Sequence, residues 1–497
     1  MTNEAQDIKG SRNWRYVVLI FAIWTANELG WHLTGGEEQY LAFSRQFIDS
    51  SWIQNSFTLA EFPGTRIAFQ LFFGTLLQVL DFESVAILGR CISYLGISIP
   101  LAAIFSRLNM SYAAILIAVQ AFVMSEQSFF GGEWIAKGFE PKTIAYIFVF
   151  LGLNEYLKGR LSRSAVAFAA ATYIHFLVGG WSFAAVLMAL WLTRTKWLKT
   201  FFLPFVALIL PFVIYLYSGY FSTPSVTTDY NLDWVYGYFR LPHHIGIFAT
   251  DQYFIERHLL GVCISAIVLA FSILFRKYFT GPSRQLNLLL TISLSINILF
   301  VGIAWLDAHV LDYGAGFIMK FYPFRLNSLA MFLSIILFTK TIVDWLLTQQ
   351  FAKHAIRGLI LLFVILGIFQ AINNVKHNLR TRISQDFVEL CSHIRQHEST
   401  SAVFALVNMG RDNDTYNAFI RLSERECFSV FKFVPGEKLK LNVWYKRQLD
   451  LASVNEGADN PEVLNEKWGV TRVISPVPIT GLQEVYSFGQ YKLYAID

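Results

Sequence analysis

The feature that most constrains the fold is a series of apolar runs with the length and composition of membrane-spanning helices. The first extends from Tyr16 to about Trp31, and no small-residue cleavage site follows it, so we expect a retained span. The others lie near residues 65–80, 85–105, 111–124, 142–157, 164–178, 180–193, 200–217, 259–275, 286–305, 327–347 and 358–375. With 55% hydrophobic and 15% charged residues, the sequence predicts a polytopic α-helical protein embedded in a lipid bilayer.

Basic clusters indicate which runs cross the bilayer, because cytoplasmic loops carry an excess of Lys and Arg. Five clusters follow apolar runs: Arg107; Lys158, Arg160 and Arg163; Arg194, Lys196 and Lys199; Arg276, Lys277 and Arg284; Lys353 and Arg357. All five face the cytoplasm only if the run at 65–80 does not cross. That run is short and is interrupted by Arg66, Gln70 and Gln78. We therefore predict an amphipathic helix along the outer interface there.

The resulting topology has about 11 spans in a domain over residues 1–375. The N-terminus lies in the cytoplasm, and the protein belongs to the cytoplasmic or plasma membrane. The outer loops cover about 32–84, 125–141, 218–258 and 306–326. The chemically capable polar clusters all fall on this outer side, whereas the cytoplasmic loops are short and basic.

Residues 376–497 differ in composition from the rest and predict a small extracytoplasmic α/β domain. Short β-like runs lie at 402–407, 427–433, 471–475 and 491–496, and amphipathic stretches lie at 415–424 and 461–468. A disulfide between Cys391 and Cys427 is left open, because an extracytoplasmic domain permits one.

The first outer loop contains the acidic pair Glu37-Glu38, followed by Tyr40. The aromatic spacing from Tyr40 to Phe47 predicts an interfacial helix that starts at the pair. Carboxylates at a helix N-terminus are favoured by its dipole, which lowers their pKa and suits a base that stays ionised. The alternative is that Glu37 and Glu38 cap the helix and face water.

The second outer loop contains Glu133, Glu140 and Lys142, with Pro141 suited to the first turn of the next span. Lys142 could hold a phosphate, and Glu140 could hold a metal, a sugar hydroxyl or Lys142 itself. The alternative is an interfacial anchor without chemistry.

The third and fourth outer loops supply Arg240, His243, His244 and Arg325 beside aromatic residues. Arg grips phosphate oxygens in a fork, and His can add a proton or a hydrogen bond. We favour phosphate or sugar binding over a metal, because two adjacent His without further spaced ligands are a weak zinc signal. Loop structure alone is the remaining alternative.

This inventory suits transfer of a group from a lipid phosphate. The cations would hold the leaving phosphate while a carboxylate deprotonates the acceptor hydroxyl. Attack opposite the phosphate would invert the sugar's anomeric configuration. The formal net charge of +5 is small, and no nucleic-acid partner is expected.

The chain resembles the GT-C superfamily of integral membrane glycosyltransferases. The resemblance rests on Glu37-Glu38-Gln39-Tyr40, the non-crossing helix at 65–80, the second acidic loop from Glu133 to Glu140, and the extracytoplasmic tail. It implies a polyprenyl-phosphate-linked sugar donor and an acceptor glycan, lipid or protein. It implies Glu37 or Glu38 as the base and Glu140 as a second acidic group. Tyr40, Glu133, Lys142, Arg240, His243, His244 and Arg325 would bind substrate or phosphate.

This sequence departs from the superfamily's Asp-Glu-x-x-Tyr pattern, because its pair is Glu-Glu and Tyr40 is one residue closer. Which Glu is the base therefore stays open. The chain also resembles an uncharacterised bacterial family within the superfamily, through Phe239–His244, Pro323–Arg325, Phe431–Pro435 and Trp444–Arg447. No cofactor is assigned and no metal ligand is predicted, although some relatives use a divalent cation between acidic loops.

Two other classes of function remain open. A transporter or lipid flippase would use the outer clusters as a gate, but it should carry ionisable residues deep within several spans, and few are found. A non-catalytic scaffold of an envelope assembly complex would use the tail as its binding surface.

Overall fold

Helices dominate the structure, a computed structural model that describes residues 3–194, 196–221, 228, 230–248, 252–313, 316–349, 352–410 and 413–496. In chain order they are α1 (Asn3–Glu28), α2 (Gly35–Ile48), α3 (Ile67–Leu76), α4 (Phe82–Arg107), α5 (Tyr112–Met124), α6 (Pro141–Leu157), α7 (Leu161–Ile174), α8 (Phe176–Leu192), α9 (Leu203–Phe221), α10 (Leu232–Trp234), α11 (Pro242–Ile245), α12 (Gln252–Leu274), α13 (Gly281–His309), α14 (Gly316–Met319), α15 (Leu326–Thr348), α16 (Ala352–Asn378), α17 (Gln385–His397), α18 (Asp414–Ser423), α19 (Lys438–Asn455) and α20 (Glu462–Trp468). The strands are β1 (Val403–Leu406), β2 (Glu426–Cys427), β3 (Arg472–Ser475), β4 (Gln483–Phe488) and β5 (Tyr491–Ala495).

The chain separates into two compact units, each of which draws on several segments. The helical unit comprises Met1–Gly30, Ile87–Ile214 and Gly237–His377. The mixed unit comprises Trp31–Ala86, Tyr215–Tyr236 and Asn378–Asp497. The sequence places only residues 376–497 in a separate domain, so the structure adds the first outer loop and residues 215–236 to it.

Among the described residues, five helices are long and apolar enough to cross a membrane: Phe82–Arg107, Leu198–Tyr220, Gly281–His309, Pro323–Thr348 and His354–Asn378. Three shorter apolar helices are Tyr112–Met124, Phe176–Leu192 and His258–Leu274. The exposed face of His354–Asn378 carries large apolar side chains such as Leu361, Ile365 and Phe369, which suits contact with lipid. The structure thus indicates an integral membrane protein, while the number of about 11 spans stays a prediction.

The run at 65–80 forms the short helix α3 after a 3-10 turn over Gly64–Arg66. Ten residues of α-helix extend about 15 Å, roughly half the hydrocarbon thickness of a bilayer. A helix of this length is too short to cross a bilayer by itself, and the assignment of the run at 65–80 as non-crossing stays a prediction. Leu71 and Phe72 are exposed whereas Gln70 is buried, so its exposed face is apolar. Its position at the outer interface stays a prediction.

The mixed unit is built on a five-stranded sheet in the order β2-β1-β3-β5-β4. β1 pairs in parallel with β2 and β3, and β5 pairs antiparallel with β3 and β4. Phe404 and Leu406 of β1 and Val473 of β3 lie in its buried core, together with Ala42 and Phe43 of α2. The first outer loop therefore belongs to this core through its apolar face.

The sequence located most elements of residues 376–497 and missed three. The runs at 402–407, 471–475 and 491–496 contain β1, β3 and β5. The amphipathic stretch at 461–468 contains α20, and the one at 415–424 matches α18 to within one residue at each end. The run at 427–433 is mostly irregular, because only Glu426–Cys427 pairs with β1. β4, α17 and α19 were not predicted. Cys391 and Cys427 are buried free thiols in the structure, so the disulfide left open above is not formed.

Candidate active site

The acidic pair lies in the first turn of α2, as the sequence predicts. Thr34 is the N-cap residue, and its Oγ1 accepts a hydrogen bond from Glu37 N (3.3 Å) while Thr34 N donates to Glu37 Oε2 (2.7 Å). This reciprocal pair is a capping box, which satisfies two amide groups at the helix start. Glu37 is nevertheless 0% exposed, so it caps the helix without facing water.

Glu38 is held by an arginine from the C-terminal part of the chain. Arg421 of α18 donates from Nε to Glu38 Oε2 (2.9 Å) and from Nη2 to Glu38 Oε1 (2.8 Å). Its Nη1 donates to Glu83 Oε1 (2.7 Å) at the start of α4. We call Glu37, Glu38, Glu83 and Arg421 the acidic cluster; all four residues belong to the mixed unit.

Burial governs the protonation of Glu38, which is 3% exposed. Loss of solvation raises its pKa above the ordinary glutamate value, and the Arg421 guanidinium opposes only part of that rise. The expectation that the helix dipole lowers the pKa of the pair is therefore wrong for Glu38, because desolvation outweighs it. Arg421 still supplies the counter-charge that an ionised Glu38 needs in this buried position.

Tyr40 lies two residues beyond Glu38, the last residue of the first turn of α2, and is half-buried. Its ring packs edge-on against Phe69 of α3, with 6.0 Å between ring centroids. Nearby, the Arg66 guanidinium lies 4.3 Å above the Phe43 ring and 3.0 Å from Glu61 Oε1. The structure thus surrounds Tyr40 with aromatic rings and one buried cation, and its role in substrate binding stays a prediction.

The helical unit holds a second group of charged residues around Glu133, which is 2% exposed. Arg325 Nη1 donates to Glu133 Oε2, and Lys142 Nζ lies 3.8 Å from the same oxygen. Lys142 Nζ also lies 3.4 Å from Glu140 Oε2, and His244 Nδ1 lies 3.3 Å from Glu133 Oε1. We call these five residues the Glu133 cluster. The structure therefore brings together five site residues predicted from three separate loops.

Backbone geometry explains why the sequence folds this way around Glu133. Gly131 and Gly132 have φ of +78° and +61°, which glycine adopts without strain. Pro141 occupies the first turn of α6, as predicted, and places Lys142 directly behind it. The Lys142 ammonium lies 3.6 Å from the Trp134 ring, so an aromatic face helps to hold it.

Arg325 is presented by a strained turn before α15. Tyr322 has φ +47°, a left-handed conformation that is costly for a residue with a side chain. It precedes a 3-10 turn over Pro323–Arg325, and the Arg325 guanidinium lies 4.7 Å from the Tyr322 ring. Strain of this kind is typical of sites whose geometry is held for function.

His244 contributes a hydrogen bond rather than a charge. Its Nδ1 donates to Gly131 O (2.7 Å), which assigns the proton to Nδ1. Burial lowers the pKa of His244 well below the ordinary histidine value, and the positive charges of His243, Arg325 and Lys142 lower it further. The imidazole is therefore neutral at pH 7.

The two remaining predicted residues, His243 and Arg240, lie one and four residues before His244 in the sequence. The His243 ring lies 4.1 Å from the His244 ring. Arg240 is 4% exposed and follows the turn Val235–Phe239. Among the described residues, no group of three or more His, Cys, Asp or Glu could hold a metal ion.

Sequence reasoning missed Arg421, Glu83 and Trp134. Arg421 lies in the amphipathic stretch at 415–424, so its helix was predicted but its partner was not. Glu38 and Arg421 are 383 residues apart, and no local pattern links them. Trp134 and Lys142 both belong to the second outer loop, and an aromatic residue in the same loop as a lysine was the pattern that could have indicated their contact.

Comparison with known proteins gives matches among solved structures. No family model matches the chain, and no curated protein matches it. The chain is similar to ArnT from Cupriavidus metallidurans in the apo state, with 11% identity, a TM-score of 0.37 and 97% of each chain covered. It is also similar to ArnT from the same organism bound to undecaprenyl phosphate, with 12% identity, a TM-score of 0.37 and 97% of each chain covered.

Proposed function

We propose that this protein is a membrane glycosyltransferase that moves a sugar from a polyprenyl-phosphate donor to an acceptor hydroxyl at the outer membrane face. The acceptor is a glycan, a lipid or a protein. The observation that carries this proposal is the Glu133 cluster, in which three segments bring Lys142, Arg325 and His244 to one buried position. Cations held in this way bind phosphate oxygens through charge-assisted hydrogen bonds.

The carboxylates of the cluster balance the charge of its cations. Buried cations need a counter-charge, and Glu133 and Glu140 supply it. The Glu140 side chain is 15% exposed whereas that of Glu133 is 3% exposed, so Glu140 is the easier one to displace. An entering lipid phosphate would take the place of Glu140 beside Lys142 and leave Glu140 to meet a sugar hydroxyl.

The reaction needs a base, a nucleophile and a leaving group. The base accepts the proton of the acceptor hydroxyl while the oxygen of that hydroxyl forms a bond to the anomeric carbon. The bond between that carbon and the phosphate oxygen breaks, and the polyprenyl phosphate leaves with the electron pair. Lys142, Arg240 and Arg325 would stabilise the growing negative charge on the phosphate. Attack from the opposite face inverts the anomeric centre.

We assign the base to Glu37 and a positioning role to Glu38. Both oxygens of Glu38 accept hydrogen bonds from Arg421, so proton transfer to Glu38 would weaken a buried ion pair. Glu37 Oε2 accepts a hydrogen bond from the neutral Thr34 amide, so proton transfer to Glu37 leaves the Glu38–Arg421 ion pair in place. Tyr40 and His243 are proposed to hydrogen-bond the sugar.

Separate substitutions of the acidic pair test this proposal. Native membranes that contain the full-length protein and its acceptor are supplied with a panel of polyprenyl-phosphate sugars, and release of polyprenyl phosphate is measured. Glu37→Gln should slow release about 100-fold or more, and Glu38→Gln should slow it less. The exposed Glu456→Gln is the matched control and should leave the rate unchanged. Full activity in both E37Q and E38Q, or no consumption of any donor, would show the proposal to be wrong.

A binding measurement tests whether these residues bind the phosphate, independently of sugar transfer. Retention of polyprenyl phosphate by the purified protein should fall in Lys142→Gln and Arg325→Gln. It should not change in Lys467→Gln, whose side chain is 53% exposed. In proteoliposomes, movement of the donor between leaflets without consumption would favour a transporter or flippase instead.

A further inference from the structure

A cavity of about 480 Å³ in the helical unit lies between the α6–α7 turn and the segment that joins α8 to α9. Its lining includes Arg160, Ser162, Arg163, Lys196 and Thr200. Ser162 Oγ donates to Thr200 O (3.0 Å), which ties the two segments together. The cavity is therefore formed by two segments that a hydrogen bond joins and that both bear basic residues.

The cavity carries an excess of positive charge. Residues 155–200 contain six Lys or Arg and one acidic residue, Glu155. Lys158 bonds Glu155 Oε1, and Arg160 Nη1 lies 3.7 Å from Glu155 Oε2. Arg163 and Lys196 make no salt bridge within 4.0 Å to a carboxylate in the part of the chain that the structure describes. Both side chains are exposed, so an anion in the cavity could pair with them through charge-assisted hydrogen bonds.

Large apolar side chains lie in the same segment as the cavity's cations. Trp191, Leu192 and Leu198 are exposed by 60%, 51% and 51% of their surfaces. In a membrane protein, exposed Leu beside Trp and Lys marks the boundary between hydrocarbon and headgroups. The occupant that fits both surfaces is an anion with an apolar tail.

We propose that this cavity binds the phosphate headgroup of an anionic glycerophospholipid, whose acyl chains lie along Trp191 and Leu198. Arg163 and Lys196 pair with the phosphate, and Ser162 and Thr200 line the headgroup. A soluble phosphate would satisfy the cations but would leave the apolar side chains uncovered. This site shares no residue with the Glu133 cluster, and its existence does not depend on the proposed enzymatic function.

The test counts phosphatidylglycerol molecules retained by the full-length protein in detergent, using native mass spectrometry, with phosphatidylcholine as the neutral comparison. The wild type should retain one phosphatidylglycerol selectively. Arg163→Gln with Lys196→Gln should weaken retention about thirtyfold, because it removes two cations beside the phosphate. Arg276→Gln with Lys277→Gln removes the same charge from the exposed loop after α12, and it should leave retention unchanged.

Three results would overturn the proposal: unchanged retention in R163Q/K196Q, equal losses in the two charge-removing variants, or displacement of the lipid by millimolar inorganic phosphate. Equal losses would mean diffuse attraction to a basic surface, and displacement would mean a site for a soluble anion. The charge-conserving variant R163K/K196R should retain the lipid. If R163Q/K196Q does not fold, the single variants R163Q and K196Q should each weaken retention, and unchanged retention in both would count against the site.

Discussion

Glu38 and Arg421 form a two-bond ion pair across 383 residues of sequence, with N–O distances of 2.9 and 2.8 Å. Arg421 thereby ties the first turn of α2 to α18, and Glu83 joins the same guanidinium at 2.7 Å. The planar guanidinium matches a carboxylate in a way that a lysine does not. The C-terminal part of the chain thus fixes the geometry of the acidic pair that we propose for catalysis.

Replacement of Arg421 should be strongly destabilising. Arg421→Gln leaves Glu38 buried without its counter-charge, which costs about 3–5 kcal/mol in comparable buried pairs. Arg421→Lys keeps the charge but loses the fork, so its loss should be smaller. Thermal unfolding of the full-length protein in detergent measures both. The control is Arg395→Gln, whose side chain is 48% exposed and lies 4.0 Å from Glu424, where a loss of about 1 kcal/mol or less is expected. Equal melting temperatures for R421Q and R395Q would contradict the buried pair.

Glu426 should make the stability of the mixed unit depend on pH. Burial raises its pKa, against the opposing hydrogen bonds from Ser56 and Thr58. The folded state then keeps a proton that the unfolded state releases, so stability falls as pH rises from the ordinary glutamate pKa to the folded one.

Glu426→Gln removes this titration and can keep the bonds from Thr58 to the Oε1 oxygen. Its melting temperature should therefore fall less than that of the wild type as pH rises through this window. Melting curves over a pH series measure the difference. Parallel pH profiles for the two proteins would show that Glu426 is not the titrating group.

His244 should act through its hydrogen bond, because its lowered pKa keeps it neutral at pH 7. His244→Asn preserves a donor for Gly131 O, whereas His244→Ala removes it and should weaken polyprenyl-phosphate binding by about 1 kcal/mol. The pH profile of binding should be the same for the wild type and H244N, since the side chain at position 244 is neutral at pH 7 in both proteins. A step near the ordinary histidine pKa that is present in the wild type and absent in H244N would contradict a neutral His244.

Gly131 should be sensitive to substitution, because its φ is +78°, where a residue with a side chain is strained, and because its carbonyl oxygen accepts the His244 hydrogen bond. Gly131→Ala should cost about 1–2 kcal/mol in backbone strain and should weaken phosphate binding by displacing His244. Gly180→Ala is the control, since Gly180 lies inside α8 with open space beside it. There the substitution should stabilise the protein by about 0.5–1 kcal/mol. Equal effects on melting temperature and binding would be evidence against the strained turn.

Much of the candidate site could be predicted from the sequence, because its members stand in short polar segments between apolar runs. Glu133, Glu140, Lys142, His244 and Arg325 were all predicted site residues, and the structure brings them into one cluster. Their pairing could not be predicted. Which carboxylate meets which cation depends on the turn at Gly131 and Gly132 and on the strained backbone of Tyr322.

The acidic pair shows the same division between local and long-range information. The acidic pair and the aromatic spacing from Tyr40 to Phe47 predict a helix start, and the structure has α2 begin there behind a capping box of Thr34 and Glu37. Burial of Glu37 and Glu38 could not be predicted, because the residues that cover them lie far away in the chain. The prediction that the helix dipole lowers the pKa of Glu38 was wrong for that reason. The dipole is a local effect, whereas the loss of solvation that raises this pKa depends on the fold.

The sequence by itself determined the apolar helices and the α/β character of the C-terminal part, since these depend on local composition and period. Only the tertiary structure decided that α2 joins the core of the mixed unit and that Arg421 holds Glu38. It also decided that Lys142, Arg325 and His244 lie around Glu133. The physical reason is that a buried charge is stable only beside a partner of opposite charge, and where that partner lies is a property of the folded chain.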